Sequence, residues 1–315
     1  MSVLAIVVPI FVLVAVGYAA ARFQFLSEAA QKGLSEFAFN FAMPALLFRS
    51  IAMASTGAPG SARIVLAYFA GVVVVWGLAT LHTRVILRRP AIDAATIAMT
   101  SVFGNIVMIG IPLVLAVVGP EGAAPMAALL SIHTPLLWFT GTLHQQAAEQ
   151  TRGRSALTVA RDLGLELTRN PLLIAIAAGA LWRVAAWPLP QAFDSSLALL
   201  GQAGVPCAQI ALGASLTRFA IKGQAPTLTS VLVLKLLVLP AVVYVMAVHV
   251  FALPRIAAEV ALLFSAMPAG ANAFLFAERS GRVVNSASGA VALGTLLGAA
   301  TSTLLIAALP MLLGL

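Results

Sequence analysis

Two asparagines in helix-breaking surroundings are the residues of this chain best suited to hold a solute. Asn105 lies in Ser101-Val-Phe-Gly-Asn-Ile-Val-Met-Ile-Gly-Ile-Pro112, and Asn272 lies in Ser265-Ala-Met-Pro-Ala-Gly-Ala-Asn-Ala-Phe-Leu-Phe-Ala277. Gly104 and Gly110 loosen the first stretch, while Pro112 removes a donor and sets its ring against an earlier carbonyl; Pro268 and Gly270 repeat that logic in the second. No charge falls between Asp93 and Glu121, so the first stretch is set in hydrocarbon. Free backbone groups survive there only if they are buried in protein or line a cavity. Each stretch is therefore expected to be a broken membrane helix opening on a polar cavity. Two half-helix N-termini aimed into one volume offer backbone donors and partial positive charge, which favours an anion. Asn105 and Asn272 are expected to contact it, with Gly104 and Gly270 giving close backbone approach. Capping its own break is the plainer role for each amide, and the two roles are compatible.

Other candidates carry weaker signals. His133, about eleven residues into its apolar run and followed by Pro135, suits a proton shuttle or a donor to a carboxylate, or is simply a satisfied core histidine. Asn40 with Pro44 and Gln202 with Pro206 share an amide-x-x-x-Pro pattern; they read either as lesser helix breaks lining the cavity or as polar glue between helices. Lys235, inside an apolar run, could offset a substrate carboxylate, but snorkelling toward the membrane surface is the simpler reading. Ile106, Met108 and Phe274 would supply an apolar wall. Arg49 and Glu278 sit near span ends.

The absences exclude chemistry. His82, His133, His144 and His249 are scattered and lack carboxylates at helical spacing, and Cys207 is the single cysteine. Neither a metal site nor a hydrolytic constellation is expected, so an enzyme is not expected and no cofactor is implied. No Asp or Glu occupies the middle of a span, which weakens a cation/proton antiporter.

The elements that must position these residues are membrane helices. Of 315 residues 61% are hydrophobic and 9% charged, and mean hydropathy is +1.04, far beyond a soluble domain. Ten apolar runs, at 3–21, 37–54, 62–87, 95–118, 122–144, 170–187, 194–217, 227–249, 256–277 and 285–313, read as ten spans of an all-α integral membrane protein. No basic residue precedes the first run, so it is read as a mature helix rather than a signal peptide. Arg22, Lys32, Arg84, Arg88, Arg89, Arg152, Arg154, Arg161, Arg169, Arg218, Lys222, Arg279 and Arg282 fall on one side. Only Arg49, Arg63, Arg183 and Arg255 fall on the other. The positive-inside rule makes the first side cytoplasmic and both termini external. That topology accounts for the net charge of +8 without a nucleic-acid partner.

One register links the halves. Pro9 and Gly17 recur as Pro171 and Gly179, and Asn40 and Pro44 recur as Gln202 and Pro206, all displaced by 162 residues; Asn105 aligns with Pro268 at 163. Five spans per half, an odd number, invert the second half, giving repeats at 1–145 and 170–315 around a cytoplasmic linker at 146–169.

Phe39-Asn-Phe-Ala-Met-Pro-Ala-Leu-Leu-Phe48, Gly104-Asn105, Gly110-Ile111-Pro112 and the stretch from Pro268 to Glu278 resemble the auxin efflux carrier family in its short bacterial form. The resemblance implies ten helices with the fourth and ninth crossing, a scaffold from the first, second, sixth and seventh, elevator-like alternating access and a homodimer. It also implies a small organic anion such as malonate or malate as substrate and a place in a bacterial inner membrane, where the outer faces of the helices contact membrane lipid. The Asp and Lys of the third helix in plant-type carriers are missing between Ile64 and Leu81. A sodium-coupled carrier of the bile-acid symporter kind is the second reading, and a channel or non-transporting receptor the third. Coupling to a proton, to sodium or to nothing stays open.

Overall fold

The computed structural model describes residues 3–53, 61–149, 157–158, 161, 164–165, 168–219 and 225–314. Among them every regular element is helical. The expected linker at 146–169 lies largely outside the described residues.

In chain order the helices are α1 (Val3–Arg22), α2 (28–52), α3 (Ser61–Val85), α4 (Ala91–Val102), α5 (Ile106–Val117), α6 (Ala123–Glu149), α7 (Pro171–Val184), α8 (Gln191–Leu216), α9 (Ala225–Val250), α10 (Arg255–Ala266), α11 (Ala271–Ser280) and α12 (Val284–Leu312). Five of them, α3, α6, α8, α9 and α12, are long and apolar enough to cross a bilayer. At 1.5 Å per residue α4 and α5 each reach only about 18 Å, roughly half of the ~30 Å hydrocarbon core. Together they make one crossing interrupted at 103–105, and α10 with α11 makes another interrupted at 267–270.

Local sequence explains where these helices start. Ser27 accepts from the Ala30 amide at 3.2 Å and opens α2. Asn170 accepts from Leu172 and Leu173 at 3.0 and 3.4 Å, with Pro171 in the first turn, and opens α7. Both are the donor-satisfying caps that helix N-termini require.

Prolines inside these helices do not all break them. Pro206 sits within an uninterrupted α8, and α2 continues through Pro44. The lesser breaks expected at these two positions are therefore absent, and Pro112 likewise lies inside α5, with the interruption falling before it. A recurrent device explains the tolerance. Wide π-helical turns end two residues before Pro44, Pro112 and Pro240, at Ala42, Gly110 and Val238. Widening the turn moves the hydrogen-bond register from i−4 to i−5 and relieves the clash between the ring and the i−4 carbonyl.

Packing forms two groups. In one, α1, α2, α7 and α8 pack on one another; in the other, α3, α4, α6, α9, α10, α11 and α12 do. Glycine sets the tightest approach, between α1 and α8. A Cβ on Gly17 would lie 2.1 Å from the Ile210 carbonyl oxygen, and one on Gly213 would lie 1.9 Å from that of Val14. Arg49 ties α2 to α8 through both oxygens of Asp194, at 2.6 and 3.2 Å. In the second group Asp93, 2% exposed, receives Arg89 at 2.9 Å and Arg282 at 2.6 Å, clasping the start of α4 to the turn after α11.

Gly213→Ala is expected to push α1 and α8 apart and to cost about 1–3 kcal/mol, the usual price of overpacking. The protein's melting temperature in detergent should fall clearly below wild type, whereas Gly33→Ala, which would meet nothing within 4 Å, should leave it unchanged.

Candidate functional site

The site is built where the two interrupted crossings meet. α4 ends at Val102; Phe103 turns extended (φ −73°, ψ 102°), and α5 starts after Asn105 (φ −76°, ψ 60°). α10 ends at Ala266, Met267 turns extended (φ −62°, ψ 138°), and α11 starts after Gly270. The freed backbone groups satisfy each other. The Asn105 amide donates to the Pro268 carbonyl at 2.7 Å and the Gly270 amide donates to the Phe103 carbonyl at 3.0 Å, an antiparallel bridge centred on Gly104 and Ala269. Gly270 is required by this approach, since a Cβ there would lie 3.1 Å from the Gly104 oxygen. Pro268 is seated against Gly298 of α12, where a Cβ would come within 3.2 Å of its ring.

Four half-helix ends thus converge, two N-terminal and two C-terminal. The N-terminal pair is treated unequally. Asn105, 7% exposed, caps α5 by accepting from the Met108 amide at 3.3 Å, which leaves its Nδ2 buried without an acceptor. α11 has no side-chain cap at all, and Asn272 in its first turn is half-buried. Val107 and Met108 are half-buried and Ala271 is exposed, so the crossing is open on this face; Ile106 is buried. Phe274 stacks edge-on against Phe219 at 5.0 Å.

Lys235 lies elsewhere than expected. It does not snorkel: it is 1% exposed, and its ammonium donates to the Ser265 carbonyl, in the last turn of α10, at 2.9 Å. Its Nζ also lies 3.4 Å from the position of a Cβ on Gly104. The π turn at Leu234–Val238 and the small residue at 104 make that reach possible, and neither is visible in local hydropathy.

His133 is fully buried, but in an aromatic shell, with Phe103 at 4.7 Å, Tyr68 at 5.9 Å and Phe69 at 6.4 Å between ring centroids. Both its ring nitrogens and the Tyr68 hydroxyl are buried without a partner. Asn40 and Gln202 are exposed on α2 and α8 and are not part of this buried cluster. The α8 amide that does reach it is Gln209, fully buried, whose Nε2 donates to the Met108 carbonyl. Met108 stands four residues before Pro112, so this is a carbonyl that the proline leaves free. The signal for Gln209 was present in the sequence as that orphaned acceptor, although nothing in the sequence says which helix supplies the donor.

An all-helical membrane protein with two paired interruptions around unpartnered polar groups has the makings of a carrier. The family model described as "Membrane transport protein" matches residues 2–306, and the chain belongs to this family, that of the auxin efflux carriers. A protein of Rhizobium meliloti (strain 1021) named "Putative malonate transporter" is 25% identical over 299 residues, covering 95% of this chain and 93% of that protein.

Gln209→Leu is expected to strand the Met108 carbonyl at a cost of about 1–3 kcal/mol and to lower the melting temperature in detergent. Gln202→Leu should not.

Proposed function

We propose that the protein is a secondary carrier of a small organic anion of the malonate class, bound where the two interruptions meet. The observation that carries this reading is the buried, unpartnered Nδ2 of Asn105 beside the uncapped N-terminus of α11. A carboxylate there would take the Asn105 donor and the first free amides of α11, where the half-helix dipole adds favourable potential. Asn272 is the second side-chain contact. Val107, Met108 and Phe274 face the substrate's carbon skeleton, and Asn40 and Gln202 approach from the opposing helices during the cycle. His133 acts from behind Phe103. The family and the Rhizobium meliloti relative's name support this substrate class.

The same reading takes the chain as two inverted five-span repeats, 1–145 and 170–315, joined by a cytoplasmic linker in a bacterial inner membrane with both termini outside. The group of α1, α2, α7 and α8 is the fixed scaffold and dimer contact, and the second group moves past it in an elevator-like step. The Gly17 and Gly213 contacts favour a scaffold that stays rigid, and the Arg282–Asp93–Arg89 clasp favours a moving group that travels as one body.

Malonate should raise the melting temperature of the purified protein and bind in calorimetry. Asn105→Asp keeps the oxygen that caps α5 but removes the donor and adds negative charge; it should weaken malonate binding at least about tenfold, or 1.4 kcal/mol, without lowering the ligand-free melting temperature. Affinity within a factor of about two of wild type would misplace the site. With Cys207→Ser as background, cysteines introduced between Gln145 and Arg169 should react with impermeant maleimide only from the cytoplasm.

A further inference from the structure

The two C-terminal half-helix ends at the crossing present negative potential in the middle of the membrane. The last carbonyls of α4 and α10 have no intrahelical donors, and each end carries roughly half a negative charge. In a medium of low dielectric constant such a pair calls for a cation. Lys235 supplies one. Its ammonium is bonded to Ser265 of α10 and lies beside Gly104, two residues beyond the end of α4.

Among the described residues no carboxylate pairs with it. Among the described residues Asp93 is held by Arg89 and Arg282, Glu259 by Arg255, Asp194 by Arg49 and Glu36 by Lys32. Glu28, Glu121 and Glu278 are exposed. From other helices His133 of α6 lies within electrostatic reach of Lys235, and Tyr68 of α3 packs on His133. Neither is a carboxylate. A buried ammonium without a carboxylate is costly unless dipoles or a bound anion offset it.

We propose that the Lys235 ammonium is a built-in cation that fills the place a dissolved sodium ion would otherwise take between the two helix ends, so that the crossing is assembled without a coupling cation. Its charge faces the negative ends of α4 and α10, while the positive ends of α5 and α11 remain for the substrate. This rests on the anion site described above, but one readout does not require it. Truncating Lys235 should leave a cavity sized for a small cation at the end of a channel of helix dipoles, and that vacancy can be filled from solution.

The test uses the full-length protein. In the absence of substrate, the wild-type melting temperature should be the same in sodium, potassium and choline chloride at equal ionic strength. Lys235→Ala should melt lower, and millimolar ethylammonium or sodium should recover part of the loss. Lys235→Met, which fills the space without charge, should melt lower and gain nothing from either cation. In proteoliposomes, wild-type malonate counterflow should vary less than about twofold between sodium and choline, and Lys235→Ala should lose at least about tenfold and regain transport with ethylammonium.

Sodium-dependent melting or counterflow of the wild type would overturn the proposal, a result that needs no variant to fold. So would a Lys235→Met protein that transports like wild type. Wild-type protein that ignores malonate altogether, while its Lys235→Ala variant is still rescued thermally by cations, would overturn the substrate reading and keep the cation.

Discussion

An interrupted helix inside hydrocarbon has to satisfy its freed peptide groups without water, and this chain does so by pairing one interruption with another. The bonds from Asn105 to Pro268 and from Gly270 to Phe103 give each break the partner that its own helix withdraws. Neither break is tolerable alone in hydrocarbon. The rest of the site follows from the pairing: it fixes four helix ends in one small volume, and it sorts them by sign into two that need donors and two that need acceptors.

The side chains around the crossing answer that sorting. Asn105 and Gln209 serve the backbone of α5, one capping its start and the other taking the carbonyl released by Pro112. Lys235 serves the end of α10. What is left over is a donor on Asn105 and the bare start of α11 on one side, and the Oε1 acceptor of Gln209 on the other. The free donor and the bare helix start are the features on which an anion site is proposed, and they are held by fixed dipoles that need little reorganisation when a ligand enters. Around it the prolines of α2, α5 and α9 are absorbed by wide turns, so that among the described residues these helices continue through them while the two crossings are interrupted where they meet.

Much of this architecture is legible in the sequence because hydrocarbon imposes a simple rule on composition. The all-helical membrane class and the clustering of glycine and proline near 104 and 268 can be read from composition and sequence alone. Other features depend on distance across the fold. Pro112 has the chemistry of a breaker, yet the chain breaks at Phe103 to Asn105, because a π turn accommodates the ring while the extended backbone around Gly104 is held by its bridge to Ala269. Gln202 stands out in the sequence by its spacing to Pro206, whereas Gln209, two turns further along α8, is the buried amide that reaches Met108. Lys235 read as a snorkelling residue because hydropathy cannot say which way a side chain leaves its helix. Asp93 and Arg282 are 189 residues apart, and no local pattern joins them.

The most direct measurement is a cryo-electron-microscopy map of the protein with malonate bound. The account predicts density for a dicarboxylate at the crossing, one carboxylate within about 3 Å of Asn105 Nδ2 and of the first amides of α11, with Lys235 still on Ser265. Malonate density away from the crossing, for example in the crevice lined by Glu28, Lys32 and Arg218, or a continuous helix through either residues 103–105 or 267–270, would contradict it.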